Sequence, residues 1–578
     1  MIGMETEGEV RSTWRTRAVF VPFTVLALVA PVACGGGTGT GVGGAPPPKA
    51  GENEINPLPD DKVSDGGTLS WPLSGIPANF NYNQVDGADA DNASVVSAML
   101  PVTFTTNVAG TPIWDRNYLA SEPKLEAEPK QKITYNINPK AVWSDGTPIT
   151  WEDFHWQWKA SNGTTKEYRV RSTSGYDQVD NVEKGTDERE VIVTYKAKFA
   201  DWTSVFNYIY PKSTNMSPKV FNEGWKGQPL TTAGPFKLDK VDKAAKTITL
   251  VRNERWWGPK PRLETIVYRV IEPSAQMDAL ANGEIDFVDL AVDVNKTNQA
   301  KAMPNIEVRR TGGLSFRQLT INSASPNLRD VKVRQALAMG IDRSAIGKAL
   351  LGPLGYDARP LNNHIFLINQ EGYRDNSGDV GKFNQDRARR LLDEAGWRLD
   401  GAVRKKDGKP LEINFVIPNS VATSRQESEL IQNMLAQIGV TVKINAVPAD
   451  AFFDKYVTAG QYDFTVFARL GSAYPIRSAS SIYQNPTRND KGELEIRENY
   501  ARIGTAEIDK LFADAVGELD RKKAIEIANQ IDARLWEEVH SLTTYQRPQQ
   551  VACKKGLAYY GAFGFATVDY TKIGWVKT

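Results

Sequence analysis

The segment from residue 411 to residue 470 most constrains the fold, because three strand-like runs alternate in it with two helix-like runs. The strands are predicted over residues 411–418, 440–447 and 463–470. The pattern from Ser424 to Glu427 indicates a capping box that opens a first helix, which Gly439 closes, and a second helix is predicted over residues 452–459. Consecutive strand–helix–strand units form parallel strands with right-handed crossovers, so the segment predicts an open α/β sheet.

Sheets of this kind bind ligands beyond the carboxyl ends of their strands. The first predicted strand is followed by residues 419–425, which include Asn419, Ser420 and Arg425, and the third is followed by residues 469–474. These two stretches are therefore the candidate ligand-binding edge of the sheet.

Strand and helix patterns continue to alternate outside this segment, from residue 67 onward. Apolar alternation predicts strands over residues 133–137 and 247–251, and Thr150 with Asp153 three residues later predicts a helix N-terminus. A chain of 578 residues also exceeds the about 250 to 300 residues over which a single core grows. An α/β protein of at least two domains is expected.

The N-terminal region has the pattern of an export signal. An apolar run over residues 19–33 follows three arginines and ends at Cys34, and it is shorter than the ~20 residues that a spanning helix needs. The run resembles a bacterial lipoprotein signal, with Pro31 where that motif usually has Leu. We therefore expect a signal peptide over residues 1–33, lipidation of Cys34 and a disordered tether over residues 34–65, with an uncleaved transmembrane segment as the alternative.

Composition and motif content argue against several classes of function. Lys plus Arg number 70 and Asp plus Glu 69, a net charge of +1 that would not attract nucleic acid. His155, His364 and His540, with Cys34 and Cys553, are too scattered for a metal site, so no metal and no other cofactor is expected. The chain lacks a Gly-x-Ser-x-Gly elbow, a P-loop and a His-Glu-x-x-His motif, so an enzyme is not expected. A secreted hydrolase whose two carboxylates meet only in space is the remote alternative.

Several short motifs follow one another in the order typical of a known family. They lie at residues 141–154 (AVWSDGTPITWEDF), 233–236, 252–258, 280–286, 322, 330–343, 388–397 and 438–440. On these motifs the chain from about residue 66 resembles the solute-binding proteins of ABC importers, in the large oligopeptide-binding family called family 5. Within that family it looks closest to the actinobacterial oligopeptide-binding lipoproteins.

The resemblance implies a periplasmic-binding-protein-like, two-lobe (class C) α/β fold with an extra domain and a ligand cleft between the lobes. Its expected divisions are domain I over residues 66–105, 229–312 and 541–578, domain II over residues 106–228 and domain III over residues 313–540. The chain would cross between the lobes near residues 316–321 and 542–545. Lobe closure is then a hinge motion of a few residues at the ends of elements.

The resemblance also implies a set of ligand contacts. Many members fix the N-terminal amine of a peptide with an acidic residue after the third strand named above, because a desolvated ammonium needs a charge partner. Here Ser472 stands where that acid is expected, and Arg469 where a tryptophan is common, which would favour a carboxylate, a phosphate or an aromatic face. The other expected ligand residues are Asp86, Gly87, Ala88, Tyr168, Asn419, Ser420, Arg425, Phe467 and Tyr474.

The resulting hypothesis is a monomeric receptor, lipid-anchored through Cys34 on the extracytoplasmic face of the cell membrane. It would bind a peptide or peptide-like ligand and deliver it to the transmembrane subunits of an ABC permease. The alternative keeps the fold and changes the cargo to an oligosaccharide, an opine-like compound or another modified metabolite, because Ser472 replaces the expected acid.

Overall fold

The structure is a computed structural model, and it describes residues 52–356, 358–492 and 494–577. The predicted signal peptide, Cys34 and the predicted tether up to residue 51 lie outside the described residues.

Twenty-three strands form in the described residues. They are β1 Thr68–Leu73, β2 Phe104–Thr106, β3 Pro112–Trp114, β4 Lys124–Glu126, β5 Lys132–Asn136, β6 Val179–Lys184, β7 Glu190–Tyr195, β8 Phe236–Asp242, β9 Thr247–Arg252, β10 Thr265–Val270, β11 Phe287–Asp289, β12 Ile306–Ile321, β13 Arg398–Asp400, β14 Val403–Lys406, β15 Lys409–Pro410, β16 Glu412–Pro418, β17 Thr441–Val447, β18 Phe464–Leu470, β19 Thr487–Arg488, β20 Leu494–Glu495, β21 Ser541–Lys554, β22 Leu557–Ala558 and β23 Gly574–Trp575.

Fourteen α-helices form in the same part of the chain. They are α1 Ala90–Val96, α2 Trp151–Ser161, α3 Lys212–Asn215, α4 Pro218–Glu223, α5 Gln276–Ala281, α6 Val294–Ala302, α7 Val331–Gly340, α8 Arg343–Leu351, α9 Gln385–Glu394, α10 Ala422–Ala436, α11 Ala449–Ala451, α12 Pro475–Tyr483, α13 Ala506–Gly517 and α14 Arg521–Glu538. None of these helices is both long and apolar enough to cross a membrane.

The largest sheet contains the predicted parallel unit. Its six strands lie in the order β11-β21-β12-β18-β16-β17, and β16 pairs in parallel with both β17 and β18. The predicted α/β unit is therefore confirmed. Apolar side chains of these strands, such as Phe415 and Phe464, are fully buried against α7 and α10 in the largest core of the molecule.

The predicted capping box at Ser424 is wrong. The helix α10 begins at Ala422, so Ser424 and Glu427 lie inside its first turns, where both are buried. Their side chains bind the guanidinium of Arg317 instead of capping the backbone. The second predicted helix begins earlier too, with α11 at Ala449, and continues as a π-helical turn over Phe452–Val457.

Two long antiparallel strands, β12 and β21, run through the centre of the six-stranded sheet. They pair from Ile306 opposite Lys554 to Thr320 opposite Ser541, with register shifts between Gly312 and Gln318. Both predicted lobe crossovers fall on these strands. A Cβ at Gly313 would lie 2.8 Å from the Arg547 backbone carbonyl oxygen, so the strands approach closely where the register shifts.

Two four-stranded sheets make up most of the remaining β structure. One has the order β1-β10-β9-β8 and the other the order β4-β5-β7-β6. The strands predicted from apolar alternation are confirmed as β5 and β9, and Thr150 is confirmed as the N-cap of α2, where the Asp153 carboxylate accepts a bond of 2.8 Å from the Thr150 amide. Each sheet packs its own aromatic-rich core.

The prediction of a disordered tether is wrong for residues 54–65. Val63 is 1% exposed and pairs with Val576, and Glu54 pairs with Ala562. The Glu54 carboxylate also accepts a bond of 2.6 Å from the amide of Arg310. The Gly/Pro-rich composition that suggested disorder ends earlier in the chain, and this stretch is held by backbone pairing with the C-terminal region.

Candidate functional site

A cavity of about 320 Å³ lies between two walls that come from distant parts of the chain. The insert wall consists of residues 104–125 and 200–203 around the β4-β5-β7-β6 sheet, and the helical wall consists of residues 366, 474–476 and 515–525 around α12, α13 and α14. The volume is at the lower end of the ~300 to 1,000 Å³ typical of ligand pockets.

Direct hydrogen bonds hold the two walls together. The Ala200 amide donates to the Val516 carbonyl at 3.0 Å, and the Glu371 amide donates to the Ala109 carbonyl at 3.0 Å. The Glu371 carboxylate accepts from the Thr111 hydroxyl at 2.7 Å and from Arg521 Nε at 2.9 Å. Although burial opposes it, these two hydrogen bonds hold the pKa of Glu371 below its usual value.

Two titratable side chains line this cavity from opposite sides, Asp201 on the insert wall and Tyr474 on the helical wall. Burial raises the pKa of Asp201 to about 6, opposed by the positive charges of Arg477 and Arg521. Burial likewise raises the pKa of Tyr474 to about 12, and its hydroxyl contacts the Thr203 hydroxyl on the insert wall. The cavity therefore contains an acid in a partly desolvated environment, a situation common at functional sites.

Of the residues predicted to bind ligand, Tyr474 is the one that lines this cavity. Ser472 lies just before it, where its hydroxyl oxygen accepts a bond of 3.0 Å from the Tyr474 amide and its carbonyl accepts one of 2.8 Å from Gln370 Nε2. Ser472 thus shapes the turn that presents Tyr474.

Arg469 is engaged inside the protein. Its guanidinium is 5% exposed, lies 3.1 Å from the Glu498 carboxylate, and donates to the Glu498 carbonyl at 3.2 Å. It also stacks on the rings of Phe467 and Tyr500, at 5.3 and 5.7 Å from their centroids. The charge that was expected to attract an anionic ligand is therefore already neutralised by a neighbouring acid.

The predicted ligand residues Asp86, Gly87 and Ala88, which follow β1, form a separate, tightly turned loop. Asp86 is exposed and pairs with Arg169 at 3.0 Å, and hydrogen bonds from Gln84 and Arg169 lower its pKa. Gly87 is buried, and a Cβ there would lie 2.2 Å from the Asn81 carbonyl, so the turn needs glycine. Ala88 follows it, half-buried.

Tyr168 is buried in a small cluster of its own. Its hydroxyl donates to the Asn215 carbonyl at 2.6 Å and its ring meets Phe221 edge-on at 5.2 Å. Asn419 and Ser420 are exposed just beyond β16, and Arg425 is exposed on α10, 3.8 Å from Glu429. Ligand contact by these residues stays a prediction.

Sequence reasoning missed Asp201, Trp202 and Arg521, which line the cavity. No motif marks them, since Asp201 lies in a short loop and Arg521 opens a helix more than 300 residues later. Only the chain's long-range pairing brings them together. In the described part of the chain, no group of three or more His, Cys, Asp or Glu side chains could hold a metal ion.

Known proteins resemble this chain over most of its length. A model of the bacterial extracellular solute-binding proteins, family 5 (middle region), matches residues 116–491. The oligopeptide-binding protein OppA of Mycobacterium tuberculosis is 38% identical over 529 residues, which cover 91% of this chain and 87% of OppA.

Two solved structures give the fold. The periplasmic EDTA-binding protein EppA superposes with a TM-score of 0.78 at 22% identity, covering 91% of this chain and 98% of EppA. The oligopeptide-binding protein AppA of Bacillus subtilis, in complex with a nonapeptide, superposes with a TM-score of 0.65 at 22% identity, covering 89% of this chain and all of AppA. The predicted two-lobe, periplasmic-binding-protein-like fold is confirmed.

Proposed function

Because the chain belongs to family 5 of the bacterial extracellular solute-binding proteins, we propose that it is the substrate-binding component of an ABC importer and captures peptides or peptide-like solutes. The observation that carries the proposal is the 38% identity to a mycobacterial oligopeptide-binding protein over 91% of this chain. The protein binds its solute without changing it chemically.

The cavity supports this proposal by its lining. Its walls are mostly apolar and aromatic, with a few polar groups such as Asp201, Thr203 and Tyr474 that could orient a ligand. The bonds between the walls, including the one from Ala200 to Val516, would break when the walls separate and re-form around a ligand. Closure of this kind on a solute fits a receptor that releases its cargo to a transporter.

The proposal extends to location and partners. Lipidation at Cys34 would hold the protein on the extracytoplasmic face of the cell membrane, within reach of the permease subunits that accept the peptide. The proposed receptor is a monomer. Tethering raises the effective concentration of the receptor at its transporter. The proposed receptor is divided into domain I (66–105, 229–312 and 541–578), domain II (106–228) and domain III (313–540).

Native mass spectrometry of freshly purified protein tests the peptide assignment. We expect added mass from co-purified peptides, and binding of defined tri- to nonapeptides by isothermal titration calorimetry after the endogenous ligand has been removed. Failure of every peptide in a mixed-sequence pool to bind would contradict the proposal.

A second candidate function changes the cargo to an oligosaccharide, an opine-like compound or another modified metabolite. It is favoured by one observation, that Ser472 occupies the position of the expected acid while Arg469 is neutralised by Glu498. The same mass spectrometry separates the two candidates, because a co-purified non-peptide solute, with no binding of the peptide pool, would establish the second one.

A further inference from the structure

The Asp201 carboxylate makes no hydrogen bond that would stabilise the local fold. Asp201 precedes the short 3₁₀ helix Trp202–Ser204, at a position where an acidic side chain usually caps the helix. Here the side chain makes no capping bond, and only the Asp201 carbonyl oxygen is used, by the amide and hydroxyl of Ser204. The short helix therefore does not need an acid at this position.

The carboxylate also lacks a hydrogen-bond or ion-pair partner among the residues that the structure describes. Within residues 52–356, 358–492 and 494–577, nothing donates a hydrogen bond to it or forms an ion pair with it. The positive charges of Arg477 and Arg521 act on it only from a distance, and both guanidinium groups have contacts of their own. Arg521 Nε bonds to Glu371 at 2.9 Å, and the guanidinium of Arg477 lies over the Phe199 ring at 4.7 Å.

Aromatic rings surround the same space. Phe104 and Trp202, which meet edge to face at 5.3 Å, line it from the insert wall, and Phe366 and Tyr474 line it from the helical wall. Ring faces attract cations, and a partly desolvated carboxylate attracts them more strongly. Together with Asp201 these rings form surroundings suited to an ammonium group.

The remaining charges around the cavity favour the same sign of ligand charge. Its lining carries the acids Glu122, Asp201 and Glu518 and one base, Arg521, which Glu371 already neutralises. An anionic ligand would have to displace the Arg521–Glu371 pair, which is also bonded to Thr111 across the cleft. A cationic group at Asp201 would leave this pair intact, and its attraction to the carboxylate would have to outweigh the positive charge of Arg477, which acts on Asp201 from a distance.

We propose that Asp201 is the counter-charge for the free α-ammonium group of the bound peptide. The acid that position 472 lacks is thus supplied by the opposite wall, and Tyr474 and Trp202 enclose the ammonium between them. This inference rests on the proposed peptide function and names the residue that selects for a free amine.

The experiment compares a mixed pool of synthetic pentapeptides that contain no Lys, Arg or His with the same pool N-acetylated, so that the α-ammonium is the only cation offered. Affinities are measured at pH 7.5 on ligand-free wild type, Asp201→Asn and Glu183→Gln. Loss of one partner of a desolvated charge pair costs about 2 kcal/mol or more. Wild type should therefore prefer the free-amine pool by roughly 30-fold.

Asp201→Asn should reduce this preference to about twofold or less, while Glu183→Gln, which removes an exposed acid of β6 outside the cavity lining, should retain it. A purely structural role for Asp201 would change the stability of the variant but leave the ratio between the two pools intact, and that result overturns the inference. Tighter binding of the free-amine pool by Asp201→Asn overturns it as well.

The wild-type result separates this inference from the proposed function. If wild type binds both pools equally, the assignment of Asp201 fails and the peptide function stands. If wild type binds neither pool, the peptide function itself fails, and the assignment with it.

Discussion

A buried ion pair between Arg317 on β12 and Glu427 on α10 fixes the central strands to the neighbouring helix, and its removal should destabilise that region strongly. The side chains are 5% and 1% exposed. Arg317 Nε lies 3.1 Å from both carboxylate oxygens, and Nη2 lies 2.5 Å from Oε2. The Ser424 hydroxyl accepts from the same guanidinium at 2.9 Å, and the Tyr545 hydroxyl donates to Glu427 at 2.9 Å.

The substitution Glu427→Gln keeps the shape of this site and leaves the Arg317 guanidinium buried without its counter-charge. Breaking a buried pair in this way costs about 3 to 5 kcal/mol. A loss of about 3 kcal/mol corresponds to a roughly 100-fold fall in the protection of backbone amides that exchange through local opening. The double variant Arg317→Met, Glu427→Leu should lose less protection than either single change, because neither charge is left alone.

Hydrogen exchange followed by mass spectrometry, on peptides that cover β12 and α10, measures this effect without assuming that so large a protein unfolds in two states. The matched control is Glu526→Gln, which breaks the equally bidentate but exposed pair with Arg374, at 2.7 and 3.2 Å. It should leave exchange in β12 unchanged. Protection in Glu427→Gln within threefold of wild type would refute the reasoning.

Three further predictions follow from burial and close packing. Burial raises the pKa of Asp201 to about 6, so the neutral Asp201→Asn variant should have a higher Tm than wild type at pH 7.5. The gain in Tm should shrink toward pH 4.5, because the native wild-type carboxyl is already protonated there. An equal gain at both pH values in differential scanning fluorimetry would contradict this prediction. Gly87→Ala should lower Tm by several degrees, because its Cβ would lie 2.2 Å from the Asn81 carbonyl, whereas Gly75→Ala, with open space around it, should leave Tm within about 1 °C. Cys553 is fully buried and its pKa is raised to about 12 by burial, so a thiol reagent at pH 8 should modify it only after denaturation; rapid labelling of the native protein would show that this core opens.

Local signals in the sequence predicted the elements whose formation depends on near neighbours. The parallel unit of β16, β17 and β18 follows from period-2 and period-3.6 patterns within 60 residues, and the cap at Thr150 follows from the acid three positions later. The same local pattern misled at Ser424 and Glu427. A capping box and a buried ion pair can use the same residue spacing, and only the approach of Arg317, more than 100 residues away, decides between them.

Arg469 shows why the candidate site could be predicted in part only. The strand pattern predicts the third strand correctly, and Arg469 is the penultimate residue of that strand, β18. The charge that Arg469 offers a ligand, however, depends on Glu498, which lies in an irregular segment with no periodic pattern. Once Glu498 neutralises Arg469, the end of this strand offers a ligand little net charge. In the described part of the chain the Asp201 carboxylate has no hydrogen-bond or ion-pair partner, so the proposed selection for a free amine depends on the facing loop and not on this strand.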